Sequence, residues 1–312
     1  MTLASRGMVA AVRLAPRVPE TLVRAGATCA ADLAWLRRGK GVRRLEANLR
    51  RVRPDLDGPT LRAMSRAGMR NYLRYYAEAF TLPARSFEQL DARVRVIGAD
   101  ALHEAIAAGR SVVLALAHQG NWDLAGAWAT RAIAPVTTVA ERLEPPEVFD
   151  AFLALREGIG LRILPLDSGA EVFRELVRVV RAGGGVVPLL ADRDLTSGGI
   201  EVDLRGRRAR GAAGPAARAA PTGAPLFATV LRHERLHGAR RRAAGTPWGL
   251  VVNFIPVEVP ADTPRGELVA VLTQAWVDLL GADIAAHPEH WHMLQRVFVE
   301  DLDPERVAGG AR

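Results

Sequence analysis

The segment Ala115-Leu116-Ala117-His118-Gln119-Gly120-Asn121-Trp122-Asp123 concentrates residue types able to do chemistry. An imidazole stands where a continuous apolar run, Ser111 to Ala117, gives out. Gly120 permits a tight turn, and Asn121 is suited to cap a helix that starts just after it. This places His118 at the carboxyl end of a buried strand, where open α/β sheets build their sites. Asp123 falls in the first turn of the following helix, within expected reach of an imidazole nitrogen. A carboxylate there would fix the tautomer and stabilise the imidazolium formed when the other nitrogen takes a proton. The first N–H groups of the helix also suit a developing oxyanion. A lone His-x4-Asp pair more often marks a satisfied structural histidine, so spacing alone does not establish a base.

No serine or cysteine stands beside the pair. Ser111 lies at the far end of the strand, Ser168 and Ser197 lack a nucleophile elbow, and Cys29 is the only cysteine. A base without a protein nucleophile implies direct attack by a substrate hydroxyl on an activated acyl donor. One cysteine excludes an intramolecular disulfide and fits a reducing, cytoplasmic compartment. His287 and His290 have no carboxylate at ligand spacing, so no zinc site is expected. His292 is expected in a packed segment. Gly183-Gly184-Gly185 is followed by a strand and lacks a Gly-Lys-Ser/Thr sequence, so it is not a phosphate loop.

The elements that must position these groups follow from periodicity. To about residue 90 the chain reads as helical, the best helix running from Leu61 to Phe80 with apolar residues at helical spacing. From Val94 short apolar strands alternate with helices. Strands are expected at 94–97, 111–117, 136–139, 161–166, 186–191, 201–204, 226–232 and 250–257, and a last helix at 265–286. The expected fold is a single α/β domain spanning 1–312. Its central, mostly parallel sheet is flanked by helices over 91–300, and a helical cap of 1–90 precedes it.

The chain has 312 residues, 49% of them hydrophobic, and a formal net charge of +8 carried by arginine, since Lys40 is the only lysine. Arginine suits phosphate and anionic lipid headgroups, although a GC-rich genome gives the same bias. No apolar stretch reaches the roughly 20 residues of a membrane span, so the chain is expected to lie on a membrane rather than cross it. Basic charge without a recognition motif or spaced aromatic platforms does not indicate nucleic-acid binding.

Several ordered boxes resemble one family. His118-Gln119-Gly120-Asn121-Trp122-Asp123 resembles the His-x4-Asp box of bacterial lysophospholipid-type acyltransferases. The branch is the one that holds the lipid A late acyltransferases and the actinobacterial phosphatidylinositol mannoside acyltransferases. Asn48-Leu49, Arg70 to Tyr76, Glu78-Ala79-Phe80, Thr138 to Leu143, Arg156-Glu157, Ala191 to Thr196, Gly214-Pro215-Ala216 and Trp291 to Gln295 extend the likeness over nearly the whole chain. The Ala-Glu-Arg-Leu, Asp-Arg-Asp-Leu-Thr and Trp-His-Met-Leu-Gln forms are most similar to the mannoside branch. The resemblance implies that His118 deprotonates an acceptor hydroxyl while Asp123 orients it. Acyl-CoA is then the co-substrate, and no metal or bound cofactor is needed. The implied acceptor is a phosphatidylinositol mannoside or related glycolipid, met on the anionic cytoplasmic face of the plasma membrane by a peripheral protein. A lysophospholipid acceptor, or a catalytically silent membrane-binding protein, are the other readings.

Asp192 stands where the mannoside branch usually has a glutamate. It is expected near the catalytic pair, facing either His118 or a sugar hydroxyl. Glu141 and Asn121 join the candidate substrate-binding residues, Asn121 also as a turn-former. Arg142, Arg156 and Arg193 are candidate phosphate or sugar binders, or else structural partners of Glu141, Glu157 and Asp194.

Overall fold

A computed structural model describes residues 3–166, 169–194 and 198–302. Ser168, Ser197 and the Leu195-Thr196 end of one family box lie outside the described residues. The helices are α1 (Leu3–Leu14), α2 (Glu20–Arg37), α3 (Lys40–Val52), α4 (Gly58–Thr81), α5 (Phe87–Arg93), α6 (Asp100–Ala107), α7 (Trp122–Ala132), α8 (Pro146–Gly158), α9 (Gly169–Ala182), α10 (Gly214–Thr222), α11 (Gly238–Ala244) and α12 (Leu268–Ala286). The strands are β1 (Val94–Ile97), β2 (Val112–Leu116), β3 (Thr137–Ala140), β4 (Arg162–Pro165), β5 (Val186–Leu190), β6 (Ile200–Asp203), β7 (Arg208–Gly211), β8 (Leu226–Arg235) and β9 (Trp248–Pro256).

The central sheet has the order β1-β9-β8-β2-β5, parallel except for the antiparallel β8–β9 pair. The α/β class and the single domain hold. A small parallel pair, β3–β4, continues from the β5 edge through a bridge between Val136 and Val186, and β6–β7 form a hairpin. The helical part runs to Arg93, slightly past the expected boundary. The hairpin strand β7 and helix α10 lie inside the Gly/Ala/Arg-rich stretch from Arg205 to Arg218, which carries no clean apolar period.

β2 is apolar at every position because helices cover both faces of the sheet. Val113, Ala115 and Ala117 point into one core, with Leu45 and Leu49 of α3, Leu176 of α9 and Trp276 and Leu280 of α12. Val112, Leu114 and Leu116 point into the other, with Leu102 of α6 and Leu124 and Trp128 of α7. The period of two thus feeds two cores from one strand. By length and composition alone α12 could cross a membrane. Here it buries Trp276, Leu280 and Ile284 and packs on β6, β8 and α10.

Candidate active site at the β2 and β5 strand ends

β2 and β5 run parallel with Leu116 opposite Leu190. Two residues beyond each partner stand His118 and Asp192, so the register alone brings them side by side. The Ala191 N–H donates to the Leu116 carbonyl at 2.8 Å and carries the pairing past the strands. Asp192 Oδ1 lies 2.6 Å from His118 Nδ1, and Oδ2 accepts the His118 backbone N–H at 3.0 Å and Trp291 Nε1 at 2.8 Å. Asp192 is buried, while the His118 side chain is 25% exposed. Burial would raise the Asp192 pKa, but the His118 charge and the three hydrogen bonds outweigh it and hold the carboxyl below its ordinary value. A carboxylate so placed assigns the proton to Nδ1 and leaves the Nε2 lone pair directed away from it. The shorter side chain of Asp192 therefore reaches the histidine.

The turn after His118 is fixed from several sides. Gly120 has φ +60°, and a Cβ there would meet the Leu231 carbonyl oxygen at 2.5 Å, so only glycine fits. The Gly120 N–H donates to His290 O at 3.2 Å, and His292 N–H to His118 O at 2.7 Å, which clamps the loop to the terminal segment. Asn48 of α3 holds that segment in turn, donating to Met293 O at 2.8 Å and Gln295 O at 2.9 Å. Asn121 is completely buried. Its oxygen caps α7 through Leu124 N–H at 2.9 Å and its amide donates to Glu78 Oε2 at 2.9 Å. Both ends are occupied by the protein's own groups, and in this arrangement Asn121 shapes the turn. Leu124 N–H, one of the helix-start donors suited to an oxyanion, is likewise taken.

Asp123 corrects an expectation. Among the described residues its carboxylate makes no hydrogen bond to His118. It accepts Arg156 Nε at 2.9 Å and the Tyr75 hydroxyl at 2.7 Å. At the second position of α7 the carboxylate faces α4 and α8, which supply those partners, while Asp192 occupies Nδ1. Asp123 is buried and the Arg156 side chain 19% exposed. Burial and the Asp123 charge push the Tyr75 hydroxyl far above its usual value. Burial alone would lower Arg156, but Asp123 raises it further still. Arg156 is thus spent on Asp123, and not on Glu157.

The remaining candidates lie in the loops after β3 and β5. Arg193 approaches Glu141 Oε2 at 3.4 Å, and Arg142 stacks over Phe149 at 5.2 Å from the ring centroid. Glu141 is 72% exposed on its side chain and Arg142 is exposed. His292 is buried in the packed segment expected for it, beside the Tyr72 and Trp122 rings, and burial holds it well below the usual histidine value.

Glu78, Tyr75, Trp291 and Asn48 are residues to which sequence reasoning gave no role at the site. Glu78 is buried with Arg93 NH2 at 2.9 Å and His233 Nε2 at 3.4 Å. Burial opposes its ionisation, yet Arg93 and His233 lower it to about 2. Their only signal was membership in the boxes that carry the family resemblance.

The fold and a His/Asp pair on adjacent strand ends define an α/β enzyme scaffold of the kind that places its site outside the carboxyl ends of its strands. Residues 6–300 match the family described as bacterial lipid A biosynthesis acyltransferase, and the chain belongs to that family. It is 39% identical over 304 residues to a phosphatidylinositol mannoside acyltransferase of Mycolicibacterium smegmatis, covering 97% of this chain and 93% of the relative. To the phosphatidylinositol mannoside acyltransferase of Mycobacterium tuberculosis it is 39% identical over 277 residues, 88% of this chain and 82% of the relative.

Proposed function

We propose that this acyltransferase moves a long acyl chain from acyl-CoA to a mannose hydroxyl of a phosphatidylinositol mannoside, with His118 as general base and Asp192 orienting it. The observation that carries this reading is the buried Asp192 bonded to Nδ1 of a partly exposed His118. In this mechanism Nε2 takes the proton of the acceptor hydroxyl as its oxygen attacks the thioester carbonyl. The new C–O bond forms, the C–S bond breaks, and the imidazolium returns its proton to the CoA thiolate. No acyl-enzyme is required, which agrees with the lack, among the described residues, of a nucleophile beside His118. The carboxylate at Nδ1 keeps the tautomer that leaves Nε2 basic.

A further feature supports a lipid substrate. Helices α1 and α2, with the turn joining them, expose Leu14, Val18, Leu22, Leu33 and Leu36 among arginines, a composition suited to the interface of an anionic membrane. These helices support a peripheral position on a membrane, which we propose to be its cytoplasmic face.

Mass spectrometry of products from purified protein, palmitoyl-CoA and a panel of acceptors tests the reading. Acylation of phosphatidylinositol mannoside should exceed that of lysophosphatidic acid at matched concentrations. The reverse preference would remove the mannoside acceptor and leave the His118 chemistry in place.

A further inference from the structure

A second basic pocket shares no residue with the His118–Asp192 pair. It is a cavity of about 340 Å³ between α2, α4 and the outer end of the β8–β9 ribbon, within the roughly 300–1,000 Å³ typical of ligand sites. Arg24, Arg70, Arg74, Arg235 and Trp248 line it. The antiparallel register sets Arg235 opposite Trp248, and α4 lays Arg74 over the same ring. The guanidinium carbons stand 3.5 Å (Arg74) and 4.5 Å (Arg235) from the ring centroid.

Four guanidiniums in one cavity repel one another, and the carboxylates nearby do not neutralise them. Asp32 serves Arg70 but is shared with Arg66. Glu20 approaches Arg24 at 3.5 Å but holds Arg85 at 2.6 Å. Glu234, beside Arg235 in sequence, is taken by Arg95 and Arg240. Glu78, one turn after Arg74, is committed to Arg93, Asn121 and His233. Arg74 bonds only the neutral amide oxygen of Asn71. Burial, with Arg235, Arg24 and Arg70 adding like charge, brings Arg74 down to about 10 although Glu78 opposes it. Among the described residues Arg74 and Arg235 have no carboxylate partner. Preorganised, unneutralised forks held on an aromatic face suit a polyoxygen anion.

We propose that this pocket is a phosphate-binding site, taking the phosphate of a soluble phosphoester or of a lipid headgroup. The inference does not rest on the acceptor assigned above, nor on the role of His118.

Two probes on the full-length protein separate the sources. Sodium pyrophosphate is titrated by calorimetry, and vesicles of phosphatidylcholine with and without phosphatidylinositol are floated with the protein. The Arg24→Gln/Arg235→Gln double variant is compared with Arg162→Gln/Arg178→Gln, which removes the same charge from a surface pair on Glu175 outside the pocket. Arg235→Gln alone, at an exposed position, serves should the double variant unfold. Only the pocket variants should lose binding, by about tenfold or more, the scale of one charge-assisted hydrogen bond. Loss of pyrophosphate affinity identifies a soluble phosphate, and loss confined to phosphatidylinositol vesicles a headgroup. Wild-type binding of neither probe, or equal loss in the pocket and control variants, overturns the site.

Discussion

Two buried aspartates flank the loop after β2, and different parts of the molecule hold them. Asp192 sits at a sheet edge position fixed by strand register and spends its oxygens on His118 and Trp291. Asp123 sits in a junction of α4, α7 and α8 and spends its oxygens on Tyr75 and Arg156. Burial is similar, so partners separate the roles. A carboxylate on the imidazole tunes a proton acceptor, while one locked to an arginine and a tyrosine fixes where a helix begins. In the proposed mechanism the sheet carries the chemistry and the helical junction carries the position.

The sharpest test of that division is His118→Ala. It should abolish measurable transfer, a loss of about 10²–10⁴-fold or more for removal of a general base, while thermal melting stays near wild type. Near-normal turnover would end the mechanism. Asp192→Asn comes next. It keeps the shape but presents an amide to Nδ1 in place of a carboxylate, favouring the wrong tautomer, so kcat should fall by about 10²–10⁴-fold. The pH profile of transfer should change with it.

Asp123→Asn should invert the balance between activity and stability. Removing one partner of a buried pair leaves Arg156 uncompensated, a cost of about 3 kcal/mol or more. Transfer should drop by no more than about 100-fold through misplacement of the loop, with the pH profile keeping its shape. A wild-type melting temperature combined with loss as deep as that of Asp192→Asn would show that the two aspartates had been assigned the wrong way round.

The sequence made the strand side of this comparison legible up to a point. An all-apolar run ending in His-Gln-Gly-Asn identified β2, the turn and the capped helix, because those depend on local rules of burial, glycine conformation and capping. It could not identify the imidazole's partner from spacing. Asp123 is five residues from His118 and Asp192 is 74, yet proximity follows the β2–β5 register, and register is a property of two strands. For the same reason spacing sets Arg156 against its neighbour Glu157, because local distance carries no information about how α8 packs on α7. Glu78 and Trp291 were hidden more deeply. Their polar groups act only once α4 and the terminal segment close over the loop, and no local pattern announces such long-range bonds. The β7–α10 stretch escaped because alanine, glycine and arginine give no strong period.

The smallest expected effect concerns the histidines packed behind the loop. Burial, reinforced by the charges of His233 and His287, lowers His290 from 6.5 to about 2. Burial also lowers His233 and His292. A histidine depressed in the fold binds its proton first in the unfolded chain, so the unfolded state holds more protons below pH 6.5 and stability rises with pH there. The contribution is complete above 6.5 and is lost as pH falls toward about 2. Glu78, lowered from 4.5 to about 2, adds its own loss only below 4.5. Acid destabilisation should therefore begin with the buried histidines, before Glu78 protonates. His290→Gln keeps a polar partner for Asn71 and removes one of the three titrating rings. Its melting temperature should fall less steeply than that of the wild type between pH 6.5 and 4.5, and should stay the less steep below 4.5 until His290 itself takes its proton at about 2. Thermal melts across that range decide the matter: an unchanged slope in the upper window would mean the buried histidines do not govern the first phase of acid unfolding.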